Sequence, residues 1–346
     1  MKIGILTHPL KSNYGGILQC YALNFYLEKK GHETIVLNRK TNKELFIKRW
    51  IRCILKFIYP AHYQKSNPID TTINIRPFVR KHINQTDELD TNYKMKNVCC
   101  KYNLDTVIVG SDQVWRRDYA INFGYNYFLD FAPSQITKIS YAASFGLSNW
   151  MYNQKETRVI TKLLQEFKGI SVREDDAILL LKNNTGIEAK HVLDPTLLLT
   201  SSDYSTITNE RKINEKYIFV YWLGTKEDMN KVLNNKDNSD KRAVIVNLRD
   251  NIARISIEDW LSYIKYAEYI ITDSFHGCAF SIIYNKQFKV YQNESGGNSR
   301  IYSLLKLLEI EQKLNDPKYI INYDIVNKNL DNLRIVSKEY LNNLLT

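Results

Sequence analysis

The stretch YIITDSFHGCAF, residues 269–280, decides the fold. Its first four residues are apolar, aromatic or β-branched, as in a buried strand; polar residues follow at once, and a run rich in small residues then begins a helix. In a parallel α/β sheet such a turn lies at the carboxyl edge, where ligands bind. Residues 107–115, VIVGSDQVW, and residues 170–174, ISVRE, repeat the arrangement. The repetition predicts parallel sheets covered by helices.

Short β-branched runs alternate with amphipathic segments along the rest of the chain. The pattern is interrupted after Asp194-Pro195-Thr196, so we predict two Rossmann-like domains, residues 1–198 and 199–346, with a helix at the end of the second. The carboxyl ends of the two sheets are expected to face each other across a cleft that forms the active site. The predicted strands are Ile3–Thr7, Thr34–Asn38, Thr106–Val109, Ile139–Ala143, Ile170–Val172, Tyr217–Trp222, Ala243–Asn247, Tyr269–Thr272 and Phe288–Tyr291.

Composition narrows the class of protein. Lys and Arg number 48 against 37 Asp and Glu, a net charge of +11, which favours an anionic partner such as a phosphate, a nucleic acid or a membrane surface. The five cysteines show neither zinc-site spacing nor a disulfide framework. The start, MKIGILTHPL, does not resemble a signal peptide, and no run approaches the roughly 20 apolar residues of a membrane span. We expect a cytoplasmic protein.

Residues 44–60 depart from the pattern, because they form a basic amphipathic segment. Apolar side chains recur at helical spacing, and basic side chains occupy the other face. One interpretation is a helix packed on the sheet. The other is docking on an anionic membrane, here the inner face of the cell membrane.

A first group of candidate ligand-binding residues follows the first strand and opens a helix. There, small residues let backbone N–H groups approach a ligand, and the helix dipole favours negative charge. The segment lacks the G-x-G-x-x-G spacing of a dinucleotide site and the G-K-S/T ending of a P-loop, and a tight turn is the structural alternative. The group consists of Asn13, Tyr14, Gly15 and Gly16.

A second group lies at the ends of later strands. Ser111, Asp112 and Gln113 follow a buried strand, although Asp112 could simply cap a helix. Trp115 could stack on a sugar or fill the core. Arg173 could grip a carboxylate or phosphate, or form a surface ion pair with Glu174 or Asp175.

His276 is the main candidate for proton transfer. It lies at a strand-to-helix turn, where the helix N-terminus disfavours imidazolium and supports a bound anion. The alternative is a structural role for His276. His8, which also lies at the end of a strand, is the second candidate for proton transfer. Arg300 opens another predicted helix, as an anion contact or as a solvated residue. No His or Cys pair has metal-ligand spacing and no G-x-S-x-G occurs, so we predict no metal and no cofactor.

Six strings occur in the order found in one family, and together they resemble polysaccharide pyruvyl transferases. This resemblance implies two Rossmann-like domains in a GT-B-type arrangement. It also implies phosphoenolpyruvate as donor and, as acceptor, a sugar of a bacterial capsule or exopolysaccharide precursor, often on a polyprenyl-diphosphate carrier. The strings are NYGGILQCYAL, VIVGSDQVW, SYAASFG, SVRE, VLDPTLLL and TDSFHGCAFSIIYNKQF.

The resemblance also assigns roles to residues. His276 matches the catalytic histidine and Arg173 a donor-binding arginine. Some members have Arg-Leu-His where this chain has Ser274-Phe275-His276, so a donor-site arginine is missing, and we expect Arg300 to replace it.

The remaining roles complete a hypothesis for the reaction. Arg300, Ser274, Phe275 and backbone N–H groups near Gly277 hold the donor on the side of the second domain, and Arg173 contacts it from the first. His276 protonates the methylene carbon, and Asp112 or Asp273 serves as base for the acceptor. The acceptor lies on the first domain, against Asn13 to Gly16, Ser111, Gln113 and Trp115.

Two other functions are compatible with the sequence. The first is a GT-B glycosyltransferase that uses a nucleotide sugar. The second is a noncatalytic basic protein that binds membrane or nucleic acid. Polar residues at successive strand ends favour an enzyme over the second, and we predict no nucleic-acid partner.

Overall fold

The computed structural model describes residues 1–40, 70–234, 242–250, 252, 254–292, 298–314, 316 and 319–346. The predicted basic amphipathic segment, residues 44–60, lies outside the described residues, so both interpretations of it stay predictions. None of the described helices is long and apolar enough to cross a membrane.

The first half of the chain forms a parallel sheet of four strands in the order β2-β1-β3-β4. Two short parallel strands extend it, because single bridges join Ile139 to Gly169 and Ala143 to Val172. The strands are β1 Lys2–Leu6, β2 Glu33–Val36, β3 Thr106–Val109, β4 Thr137–Ser140, β5 Ser171–Val172 and β6 Lys190–His191.

Helices connect these strands. Each longer helix begins with a side chain that accepts a backbone N–H, as Asn153 does for the helix that follows it, or with acidic residues in its first turn. The α-helices are α1 Tyr14–Lys29, α2 Arg76–His82, α3 Asn92–Lys101, α4 Arg117–Ala120, α5 Gln154–Leu164, α6 Asp175–Thr185, α7 Pro195–Leu198 and α8 Ser201–Ser205. Short 3-10 helices span Ile121–Phe123 and Asn126–Phe128.

The second half forms another parallel sheet, in the order β10-β9-β7-β8. Its strands are β7 Ile218–Trp222, β8 Ala243–Asn247, β9 Tyr269–Thr272 and β10 Phe288–Val290. Its helices are α9 Lys226–Leu233, α10 Ile257–Tyr266, α11 Phe275–Ile283, α12 Asn298–Leu307 and α13 Tyr323–Leu344, with a 3-10 helix at Glu311–Leu314. The prediction of two parallel, Rossmann-like sheets is confirmed.

Each predicted strand has an observed counterpart, and the bounds of β3, β8 and β9 are those predicted from the sequence, whereas the two-residue strand β6 was not predicted. The largest difference is at β4, which was expected to reach Ala143 and ends at Ser140. Ala142 has a φ of 48°, in the left-handed region, so the extended strand cannot continue through it.

The two halves share one continuous apolar core. Thirteen residues of α1 are buried, so this helix is enclosed on nearly all sides, as expected of a helix between packed layers. Tyr14 of α1 stacks on Trp260 of α10, with ring centroids 5.3 Å apart. The final helix packs back on the first half, where the Tyr340 hydroxyl donates to the Ser140 carbonyl at 3.2 Å. The domain boundary near Leu199 stays a prediction.

Candidate active site

A cluster of charged and polar side chains is buried where the carboxyl ends of strands from both sheets meet. Asp112 follows β3, Arg173 follows β5 and Asp194 follows β6, while His276 lies in the first turn of α11 and Arg300 in the first turn of α12. We call these five residues the His276 cluster. Parallel strands align their carboxyl ends, which is why residues so far apart in sequence converge here.

Hydrogen bonds from α1 and from the end of β1 hold the loop after β3 in place. The backbone N–H of Ser111 donates to Gln19 Oε1 of α1 at 3.0 Å, and the Thr7 hydroxyl donates to the Ser111 carbonyl at 3.2 Å. Asp112 has a φ of 69°, a left-handed conformation that costs a non-glycine residue about 1–3 kcal/mol and persists only where the surrounding structure holds it. The pinned loop therefore holds the Asp112 carboxylate in a fixed position.

Arg173 forms ion pairs with two carboxylates. Its Nη1 donates to Asp194 Oδ2 at 2.7 Å and its Nη2 to Asp112 Oδ1 at 3.4 Å, while the Phe275 ring lies 4.7 Å from the guanidinium carbon. Asp194 Oδ1 also accepts from the backbone and hydroxyl of Thr196. Burial alone would raise the pKa values of Asp112 and Asp194, but the charge of Arg173 holds both below their ordinary range. The alternative interpretation of Arg173, a surface ion pair with Glu174 or Asp175, is excluded because Arg173 is 3% exposed and pairs with Asp112 and Asp194.

His276 lies beside this ion pair without joining it. Its Nε2 is 3.8 Å from Asp194 Oδ2, too far for a hydrogen bond, and has no hydrogen-bond partner among the described residues. Burial lowers the pKa of His276 to about 4, so the ring is neutral near pH 7. A Cβ built on Gly15 would lie 2.0 Å from His276 Nδ1, so the imidazole occupies space that only glycine at position 15 leaves open.

Arg300 is a cation with spare hydrogen-bonding capacity. Its side chain is half-buried, and its Nε is buried without a partner in the part of the chain that the structure describes. Burial and the neighbouring charge of Arg173 lower the pKa of Arg300 to about 10, although Asp112 and Glu174 act in the opposite direction. It still carries its charge at neutral pH and is placed to meet an anion.

Sequence reasoning missed two carboxyl groups at the site. Asp194 was noted only as part of a turn, although it follows a strand as Asp112 and Arg173 do. Glu174, next to Arg173, is fully buried; its Oε1 accepts from the Ser144 hydroxyl at 2.8 Å and from the Phe145 N–H at 2.9 Å. Its Oε2 has no partner among the described residues, and burial raises its pKa.

A cavity of about 460 Å³ opens beside Asp112 on the side of the first half. Its size suits a sugar-sized ligand. Of the predicted acceptor residues, this cavity brings together Asn13, Gly16 and Gln113, and it adds His8 and Tyr119. His8 contacts the Tyr127 hydroxyl through Nδ1 at 3.2 Å, and its Nε2 has no partner among the described residues.

Two predicted acceptor residues are core residues instead. Tyr14 is fully buried, stacks on Trp260 and donates its hydroxyl to the Ile255 carbonyl at 3.0 Å. Trp115 is fully buried, and its Nε1 donates to the Tyr127 carbonyl at 2.9 Å. Neither ring has a free face, because aromatic neighbours from other elements cover them. The prediction that they contact the acceptor is corrected.

Ser111 is also turned inward. It is fully buried, and its hydroxyl lies 2.8 Å from the Ala142 carbonyl and 3.1 Å from Asp194 Oδ2, so its single proton is already shared between these acceptors. Ser111 supports the cluster from behind rather than lining the cavity.

Three residues around β9 and α11 also hold the backbone in place. Asp273 accepts from the backbone N–H groups of Leu223 at 2.7 Å and Gly224 at 2.8 Å, and it lines a different cavity from Asp112. Ser274 Oγ accepts the Gly277 N–H at 3.4 Å, so that N–H already faces the cap and not a ligand. A Cβ on Gly277 would lie 2.2 Å from Thr272 Oγ1, which explains glycine there by close packing.

Two Rossmann-like sheets whose carboxyl ends share one buried, charged site have the architecture in which α/β enzymes commonly bind their ligands. A family model described as polysaccharide pyruvyl transferase matches residues 13–295, most of the chain. The chain therefore belongs to the polysaccharide pyruvyl transferase family and is a transferase.

Solved structures with similar architecture are distant in sequence. The UDP-GlcNAc 2-epimerase of Neisseria meningitidis, bound to UDP-GlcNAc, is 11% identical over 100% of both chains, with a TM-score of 0.49. The UDP-GlcNAc 2-epimerase of Methanocaldococcus jannaschii is 13% identical over 96% of this chain and 92% of that one, with a TM-score of 0.48. No curated protein matches the chain significantly. These similarities carry no argument about function.

Proposed function

We propose that the protein transfers the pyruvyl group of phosphoenolpyruvate to two hydroxyls of a sugar in a cell-surface polysaccharide precursor and closes a ketal. The observation that carries the proposal is a neutral His276, whose Nε2 has no partner among the described residues and which feels the charge of Arg300, near the sugar-sized cavity that Asp112 lines. Membership of the family supports the class of reaction.

The donor is bound by charge. Arg300 receives the phosphate or the carboxylate, and Arg173, held by Asp112 and Asp194, presents a fixed positive charge beside it. Fixed charges of this kind stabilise developing charge without reorganising during the reaction. Phe275 keeps the Arg173 guanidinium in place from one face.

The chemistry starts with a proton on His276, taken up together with the anionic donor. His276 gives it to the methylene carbon, which becomes a methyl group, and the central carbon becomes oxocarbenium-like. A sugar hydroxyl bonds to that carbon, the bond to the phosphate oxygen breaks, and a second hydroxyl closes the ketal. Of the two hydroxyl protons, one restores His276 and the other leaves with phosphate. Asp112, which lines the cavity, is proposed to accept a hydrogen bond from the acceptor hydroxyl and to pass its proton on to the departing phosphate, since the charge of Arg173 keeps this carboxylate ionised and makes it a weak base by itself.

The acceptor is proposed to be carried on a polyprenyl diphosphate, with the reaction at the cytoplasmic face of the membrane and no cofactor. Residues 44–60 would then contact anionic lipid. Reversing the charges of Lys48, Arg49, Arg52 and Lys56 should reduce sedimentation with anionic liposomes, and unchanged sedimentation would leave the packed-helix interpretation.

The test of the reaction is incubation with phosphoenolpyruvate and lipid-linked glycans, followed by phosphate release and by the mass of the glycan. His276→Gln should lose about 10²- to 10⁴-fold in turnover, the usual contribution of one acid–base group. His32→Gln, at a half-buried histidine after α1, is the matched control and should retain activity. Full activity of a folded His276→Gln protein contradicts the mechanism.

The two alternatives give different products. A glycosyltransferase would release a nucleotide from a nucleotide sugar and no phosphate from phosphoenolpyruvate. A noncatalytic binding protein would release neither.

A further inference from the structure

Two neighbouring cavities, mainly on the second half of the chain, lie outside the His276 cluster. The first, the switch-point cavity, has a volume of about 540 Å³ and opens over the carboxyl ends of β7 to β10. The second, the linking cavity, has a volume of about 310 Å³ and shares Tyr291 and Gln292 with the first. Asn298 and Ser299, which line the linking cavity, immediately precede Arg300. The two cavities are therefore neighbours, and the linking cavity adjoins Arg300.

The topology marks the first cavity as a ligand site. The chain passes from β7 to β8 on one side and from β9 to β10 on the other, so the strand order reverses between β7 and β9. Open α/β sheets bind ligands in the crevice at such a switch point. Here Asp273 spans the crevice from β9 and accepts the N–H groups of Leu223 and Gly224 after β7.

Two buried polar atoms at this cavity lack a partner. Trp222 is 3% exposed, and its Nε1 has no hydrogen-bond partner among the described residues. The Tyr291 hydroxyl is also buried and has no hydrogen-bond partner among the described residues. Buried hydrogen-bond donors nearly always have a partner in folded proteins. Two donors without a partner at one cavity therefore indicate a ligand that supplies hydrogen-bond acceptors.

Gly224 keeps the space beside Trp222 open. Its φ is not in the left-handed region, so the backbone does not require glycine there. A Cβ at this position would lie 2.8 Å from Trp222 Nε1. Glycine at this position is thus explained by the close approach of its own backbone to the indole, which leaves no room for a side chain.

The charges disfavour a phosphate in either cavity. In the switch-point cavity, Lys231 and Arg249 are balanced by Asp228 and Asp273. Glu227 and Asp228 also lie in the first turn of α9, where they offset the positive end of the helix. Among the described residues that line the linking cavity, the polar groups are hydroxyls, amides and phenols, as in Ser299, Asn298 and Tyr302, and none of these residues is charged.

We propose that the linking and switch-point cavities are successive saccharide subsites that hold non-reacting units of the acceptor glycan. Sugar hydroxyls both donate and accept, which matches uncharged polar groups, unpaired donors and balanced charges. The inference rests on the proposed function, since it extends the acceptor from the cavity beside Asp112 onto the second half of the chain. The acceptor is then an oligosaccharide rather than a single sugar.

The test is binding of the full-length protein to an array of bacterial oligosaccharides without phosphoenolpyruvate. Gln292→Ala removes one uncharged contact and should weaken binding roughly 2- to 10-fold. Gln165→Ala, at an exposed glutamine after α5, is the matched control and should bind as the unaltered protein does. Gly224→Val fills the space beside Trp222 and should weaken binding at least about 10-fold.

Three results would overturn the inference: no binding to any glycan, equal binding by Gln292→Ala and Gly224→Val proteins that retain their melting temperature, or displacement of the glycan by UDP or pyrophosphate. Pyruvyl transfer is measured separately on a monosaccharide acceptor, which does not reach the subsites. Glycan binding without turnover contradicts the proposed reaction, whereas turnover without glycan binding contradicts the subsites.

Discussion

The pKa of His276 makes a quantitative prediction about donor binding. In the free protein burial lowers this pKa to about 4, so His276 has no proton to give at pH 7.5. If His276 is the acid, donor binding must raise its pKa by more than three units. Each unit corresponds to about 1.4 kcal/mol, so the donor must supply about 5 kcal/mol of interaction with the imidazolium.

The charges of phosphoenolpyruvate are sufficient for this shift. One negative charge about 4 Å from the ring supplies roughly 4 kcal/mol at an effective dielectric constant near 20, and the donor brings both a phosphate and a carboxylate. Binding should therefore take up about one proton. Above pH 7, where the donor phosphate is almost fully ionised, the dissociation constant should rise about tenfold per pH unit until His276 in the complex loses its proton.

Proton uptake is measured by titration calorimetry in buffers of different ionisation enthalpy at pH 7.5. The unaltered protein should take up about one proton per donor bound, His276→Gln close to none, and the His32→Gln control about one. Equal uptake by the unaltered and His276→Gln proteins, or a dissociation constant that does not change between pH 7 and pH 8, would refute the role of His276 as the acid.

Three further outcomes follow from the His276 cluster. Arg300→Gln removes the cation proposed to contact the donor and should raise KM for phosphoenolpyruvate roughly 10- to 150-fold, with little change in KM for the acceptor. A rise in KM for the acceptor alone would instead assign Arg300 to the acceptor site. Gly15→Ala should lose most turnover, because its Cβ would lie 2.0 Å from His276 Nδ1, whereas Gly16→Ala, with a nearest contact of 3.4 Å, should retain more activity in the same assay. The pKa of His276 is lower in the folded than in the unfolded protein, so its contribution to stability is full above pH 6.5 and is lost as the pH falls toward 4. In urea titrations over this range, the free energy of unfolding should therefore fall less steeply with pH for His276→Gln than for the unaltered protein. Identical slopes for the two proteins would contradict the lowered pKa.

The sequence was sufficient for the fold because the evidence for a parallel sheet is local. Runs such as Thr106–Val109 and Ala243–Asn247 are β-branched and bounded by polar turns, and each forms a strand at the predicted bounds. Tyr14 and Trp115 show the limit of this reasoning. Both stand next to polar residues at strand ends, but whether an aromatic ring faces a ligand or the core depends on partners such as Trp260 and Phe128, which lie far away or on another element.

The carboxyl groups of the site were hard to predict for a related reason. Asp194 follows a strand of only two residues and precedes a proline, so the local pattern indicates a turn. Its role depends on Arg173, which approaches from the neighbouring strand β5. Glu174 follows Arg173 directly, and only the loop at residues 144–146 shows that its side chain turns inward.

The departure of this chain at Ser274 has a geometric explanation. Ser274 is 2% exposed, and its hydroxyl caps α11, so this position supports the turn that carries His276 and offers no cation to a ligand. Because β10 pairs directly with β9, the helix that follows β10, α12, begins near the turn that opens α11. A cation in the first turn of α12 can therefore reach the same site, as the influence of Arg173 and Asp112 on the Arg300 pKa indicates. Either of two neighbouring strand-to-helix turns of one sheet can carry the arginine that gives the donor site its positive charge. On this basis Arg300, rather than the residue at position 274, is expected to determine donor affinity.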